Sequence, residues 1–199
     1  LMKAYYAKQD AEKLSGKGDT SQKLTLMKTS ADSLKKSADA LNDSSLWEKK
    51  KIKKKDEKTG EEIEIEDYDW DKITKAVKSF VEDYNDVVKE AGESNTKDVL
   101  RNASWMTGMT DKNSNMLAKI GITIGKGNKL ELDEDALKQA DISSLKTVFT
   151  GYNSFVSKIS QKATGISNAA NRASATYTNN GTYSKTDSSL TSSKIDKEV

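Results

Sequence analysis

The sequence predicts a mainly α protein: an elongated antiparallel helical bundle with coiled-coil seams, plus two small β-hairpins as its minor β part. Three observations predict it. Between Asp67 and Ala91, the residues Trp70, Ile73, Val77, Phe80, Tyr84, Val87 and Ala91 fall alternately three and four apart, an unbroken heptad seam along one helix face. Leu24, Met27, Ala31, Leu34, Ala38 and Leu41 repeat the same spacing upstream. In two other segments the period drops to two around a turn signal, as a hairpin requires.

In chain order, Ala4, Ala7, Ala11 and Leu14 make a short seam with Tyr5 and Tyr6 beside it, breaking between Gly16 and Asp19. Asp19, Thr20 or Ser21 can cap the Leu24–Leu41 helix, whose alanines allow a neighbour to approach closely. From Trp47 to Trp70 the chain reads WEKKKIKKKDEKTGEEIEIEDYDW. Its Lys49 to Lys55 run suggests a polyanion patch, but Glu61, Glu62, Glu64 and Glu66 alternate with Ile63 and Ile65 just beyond a DEKTG turn. A self-paired hairpin, basic strand beside acidic strand, is the stronger reading, and its charged side chains discourage edge association.

Asp69 then caps the next helix, with Asp71 in its first turn, Val81 and Val88 widening the apolar stripe, and Gly92 as a stop. A stripe this wide calls for a bundle. Phe80 and Tyr84 are core positions whose replacement by Ala should cost about 3 kcal/mol or more each. Asn95 or Thr96 can cap a helix carrying Val99, Leu100, Ala103 and Met106, with Trp105 beside them and an end expected near Gly108. DKNSNML reads as a loop before Met116 and Leu117.

The second hairpin, 119–133, places Ile120, Ile122 and Ile124 against Leu130 and Leu132 around the turn GKGN, and Asp133 caps the helix that follows. The last long helix is expected from Tyr152 to Ala175, with Tyr152, Phe155, Ile159, Ala163, Ile166, Ala170 and Ala173 on one face. Beyond Tyr177 the Ser-, Thr- and Asn-rich tail reads as extended or mobile. The organisation is therefore N-terminal helices at 1–46, a lysine/glutamate-rich hairpin at 47–68, a helical bundle with its own hairpin at 69–177, and a tail at 178–199.

Composition narrows the chemistry. Of 199 residues 34% are hydrophobic and 32% charged, so thin helical layers are favoured over a compact sphere. The net charge of +2 argues against a general polyanion binder. Cys, His and Pro are absent, which removes a conventional zinc site, a thiol nucleophile, a Ser-His-Asp triad and the commonest general base. Lack of Cys is compatible with export without disulfides and equally with the cytoplasm. No membrane span or signal peptide is visible. The chain opens at Leu1, with Met2 second, and reads as a piece of something longer.

No residue stands out as catalytic, cofactor-binding or metal-ligating. DEDA lacks the spacing and glycine of a calcium loop, and Gly125 to Asn128 fits neither a P-loop nor a dinucleotide pattern.

Five phrases in order, FVEDYNDVV (80–88), VLRNA (99–103), LAKIGITI (117–124), LELDEDAL (130–137) and LKTVFTG (145–151), resemble the C-terminal part of the bacterial flagellar filament cap family, the hook-associated proteins at the filament tip. The resemblance runs from about Asp69 to Gly151 and leaves out the first helices and the lysine-rich hairpin. It implies export to the flagellum or cell surface, a ring-like homo-oligomer, and flagellin or the filament as partner. The residues themselves lead to the further expectation of no small-molecule substrate and no nucleic acid.

The leading expectation is a non-enzymatic structural or assembly protein working through helix–helix and subunit contacts. The alternative is a surface adhesion module on the same scaffold, for which Tyr5, Tyr6, Tyr177 and Tyr183 offer contact groups. A polyanion binder using Lys49 to Lys55 comes third. An enzyme comes last, because no spacing selects one carboxylate pair among so many acids.

Overall fold

The computed structural model describes residues 18–55 and 60–176. The Ala4–Leu14 seam with Tyr5 and Tyr6, the centre of the DEKTG turn, and the tail with Tyr177 and Tyr183 lie outside those residues. The described chain is mainly α with two antiparallel two-stranded sheets.

Four long helices carry the fold: α1 (Ser21–Asn42), α2 (Trp70–Gly92), α3 (Lys97–Lys112) and α7 (Phe155–Thr176). Each heptad seam is their common interior. Leu24, Met27, Ala31, Leu34, Ala38 and Leu41 are all buried, as are Ile73, Val77, Phe80, Tyr84, Val87 and Ala91 with the flanking Val81 and Val88. Thr20 and Asp69 cap α1 and α2, accepting hydrogen bonds from the Lys23 and Lys72 N–H groups.

Polar contacts between the helices fix their directions. Lys23 at the start of α1 reaches the Glu93 carbonyl just past the end of α2. Tyr84 of α2 bonds to Thr110 of α3. On α7, Arg172 faces Asp98 and Lys162 covers Trp105, both of α3, while Ser167 and Ser160 donate to Asp32 and Asp39 of α1. Each helix is therefore antiparallel to its neighbours in the cycle α1, α2, α3, α7, an up-down-up-down bundle. The α1–α7 contact is the most extensive and the most regular. Buried Ala31 and Ala38 on α1 and Ala163 and Ala170 on α7 repeat every seven residues, and the Ser–Asp bonds at 2.6 and 2.7 Å flank them with the same repeat.

The connections build one end. After α1, a single 3-10 turn (Ser44–Trp47) drops Trp47 into the core, where its Nε1–H donates to the Leu41 carbonyl at 2.8 Å and its ring stacks on Phe149. This Trp, grouped in the sequence with the lysine-rich hairpin, is fully buried. Strands β1 (Lys50–Lys55) and β2 (Glu62–Asp67) pair antiparallel, with Lys51 opposite Glu66, Lys53 opposite Glu64 and Lys55 opposite Glu62. Opposed charges favour that register.

Helix α3 does not stop near Gly108. It runs on to Lys112, and the expected DKNSNML loop becomes its last turn followed by a short α4 (Ser114–Ala118). Glycine costs a helix interior about 1 kcal/mol, and burial of Met106, Thr107 and Thr110 on the same helix outweighs it. Then come β3 (Ile122–Ile124), β4 (Leu130–Leu132), α5 (Glu134–Gln139) and α6 (Ile142–Phe149). Asp133 caps α5 through the Asp135 and Ala136 N–H groups. Gly121 has φ +81°, and a Cβ there would lie 2.6 Å from the Asp133 oxygen, so glycine is required just ahead of β3.

The last helix starts three residues later than expected. Ser154 accepts from the Ser157 N–H at its start, and Tyr152, placed by spacing on the buried face, is 83% exposed in the preceding turn. A helix can bury only what lies inside it.

Candidate interaction surfaces

Two side chains of the FVEDYNDVV phrase make contacts of different reach: Tyr84 ties α2 to α3, and Asn85 ties the bundle to the second hairpin. Tyr84 Oη donates to Thr110 Oγ1 at 2.8 Å, Thr110 donates on to the Met106 carbonyl, and burial pushes the phenol pKa up. Asn85 is half-buried and grips Leu130 twice: its Oδ1 accepts the Leu130 N–H at 2.7 Å and its Nδ2 donates to the Leu130 carbonyl at 2.9 Å. The pairing pattern explains why. Gly125 N–H bonds to the Lys129 carbonyl and Asp133 N–H to the Gly121 carbonyl, so Leu130, opposite Ile124, sits in a non-hydrogen-bonded pair. Its N–H and C=O face away from β3, and Asn85 satisfies both.

At the other end of the bundle α1 begins and its antiparallel neighbour α7 ends. Asp19 organises this end. Its carboxylate accepts from the Asn95 and Thr96 N–H groups and from the Ser94 and Thr96 hydroxyls, all between 2.7 and 2.9 Å. Thr96 precedes α3 and its side chain does not cap the helix; a carboxylate from before α1 instead fixes the turn that leads into it. Burial alone would raise the Asp19 pKa, but the donors from Asn95, Ser94 and Thr96 outweigh it and hold the carboxyl below its ordinary range.

The bundle sides carry the exposed apolar groups. Trp105 on α3 is 60% exposed, its ring covered on one face by the Lys162 ammonium at 4.5 Å. Beside it a groove of about 400 Å³ is lined by Ser104, Trp105, Gly108, Met109 and Lys112. A Cβ at Gly108 would touch nothing within 4 Å. The residue expected to end the helix instead leaves a gap in its surface. Ser104 Oγ, buried at this groove, has no hydrogen-bond partner. Spacing places Trp105 beside the seam but carries no signal of this platform, because a glycine at 108 has the local character of a helix stop. Leu26 on α1 and Ile63 on β2 are the other large apolar side chains standing out from these elements.

The family described as flagellar hook-associated protein 2 C-terminus matches residues 91–198. The chain belongs to that family. No curated protein and no solved structure matches it. The family match begins in the last turn of α2, so four of the five phrases fall inside it and FVEDYNDVV falls just before. Within it lie α3 with the Trp105 groove, the second hairpin, α5, α6 and α7. The family is a structural one, and the chain carries a flagellar cap-like C-terminal region. Among the described residues no helix is long and apolar enough to cross a membrane, and no three acidic side chains converge as a metal site would require.

Proposed function

We propose that this chain is a non-enzymatic structural component of a flagellar filament cap, acting outside the cell through helix–helix and subunit contacts, with further copies of itself and flagellin as partners. The observation that carries the reading is the family match over 91–198, which takes in the one side of α3 where a large aromatic is left exposed. An exposed Trp rimmed by Lys112, Lys162 and Met109 has the composition of a contact anchor, apolar at its centre and charged at its rim.

Location tests the proposal. Antibody raised to the chain should label filament tips of the source bacterium, and the signal should leave the cells with sheared flagella. Signal confined to the cytosol overturns the reading. Trp105→Ala should leave thermal unfolding almost unchanged and reduce filament formation in cells that carry only this variant; full filament formation would remove Trp105 from the contact surface.

A further inference from the structure

We infer that the first hairpin is a self-recognition device: the β1 edge of one copy pairs with the β2 edge of the next, extending the two-stranded sheet from copy to copy. Strand β1 reads KKIKKK and β2 reads EIEIED, so all the basic residues lie along one outer edge and all the acids along the other. The sheet is two-stranded, so each strand has one edge outside the β1–β2 ladder.

Charge selects among the ways the two edges can meet. Antiparallel pairing of β1 with β1 sets lysine against lysine, and β2 with β2 sets acid against acid, both unfavourable for residues directly opposite each other. Pairing β2 with the β1 of a second copy is also antiparallel and repeats the internal register, Glu66 facing Lys51, Glu64 facing Lys53 and Glu62 facing Lys55 on one face. On the other face the same register sets Ile52 opposite Ile65 and Lys50 opposite Asp67, with Ile63, 41% exposed, opposite Lys54. Long charged side chains usually protect an edge against association. Segregated by sign, they protect it against itself and leave the complementary edge as the permitted partner. Such a contact is heterologous, so it propagates around a ring or along a helix and does not close as a two-fold dimer.

The inference rests on the assembly reading above, yet the two fail separately, because sedimentation of the purified full chain involves no filament. Sedimentation velocity should show concentration-dependent self-association that weakens as salt is added. The triple variant Lys51→Glu/Lys53→Glu/Lys55→Glu, and separately Glu62→Lys/Glu64→Lys/Glu66→Lys, should each associate about tenfold more weakly or worse, three pairs at a factor of about two apiece. Exchanging both sets together should restore association. Since a like-charged hairpin can lose its own fold, a second measurement keeps the native charges largely in place. The chain has no cysteine, so Lys53→Cys and Glu64→Cys chains, mixed and oxidised, should form the mixed disulfide in preference to either symmetric one. A monomeric native chain, undiminished association of both like-charged variants, or predominance of the symmetric disulfides would overturn the inference.

Discussion

Replacing Asn85 probes the joint between the bundle and the second hairpin. Asn85→Ala removes two hydrogen bonds to Leu130, each contributing about 1 kcal/mol net, and strands an N–H and a C=O at the outward edge of β4. Leu130 itself is 2% exposed, so water reaches those groups poorly. The cost should be about 2–4 kcal/mol, a fall in Tm of roughly 6–12 °C for a domain of this size. Asn85→Asp separates geometry from polarity. A carboxylate still accepts the Leu130 N–H but points its second oxygen at the Leu130 carbonyl, so at neutral pH it should be no more stable than the Ala variant. That carbonyl raises the folded pKa of the new acid above its unfolded value near 4. Protonation then supplies an O–H donor, so the deficit relative to Asn85 should shrink as pH falls from neutrality toward about 4. Urea and thermal unfolding followed by far-ultraviolet CD, with amide exchange at Leu130, measure all of this. A loss below about 0.5 kcal/mol with Leu130 exchange unaltered would refute the clasp.

Asp19→Ala should destabilise the chain by about 2 kcal/mol, because it removes the acceptor that ties the Ser94–Thr96 turn to the start of α1. Its folded pKa is lowered, so its contribution is present above the unfolded value near 4 and is lost as pH falls through the folded one; Asp19→Asn should flatten that acid limb in urea titrations. Gly121→Ala should cost about 2–4 kcal/mol, since backbone atoms of Asp133 and Leu137 at 2.6 and 2.8 Å cannot yield and φ is +81°; equilibrium unfolding checks it. Trp47→Ala should cost about 3–5 kcal/mol and remove the stacking on Phe149, whereas Trp105→Ala should cost under about 1 kcal/mol, a contrast visible in parallel thermal melts.

The helical seams were legible because burial in a bundle is a local code: a helix that hides one face must repeat every three or four residues, and α1 and α2 do. The first hairpin was legible because charge and alternation both change sign across the turn. The joint with the second hairpin was not legible. Spacing finds Tyr84, which belongs to the seam and bonds within the bundle, but not its neighbour Asn85, which makes the joint and lies off the seam. Nothing near Asn85 in the chain signals Leu130, 45 residues on. Gly108 misled for a related reason, since its intrinsic cost to a helix is set against packing supplied by other helices.

The sequence by itself determined which faces are apolar, where two helices are capped, that the charged hairpin pairs with itself, and to which family the phrases point. Only the tertiary structure decided the antiparallel cycle of four helices, the burial of Trp47 beneath α1, and the exposure of Trp105 and Tyr152. It also decided that Asp19 holds the turn before a helix it does not precede. The division has one physical cause. Periodicity and capping act within a few residues of chain, whereas a hydrogen bond from Asn85 to Leu130 or from Thr96 to Asp19 exists only after distant segments have been brought together, and no local pattern encodes the meeting.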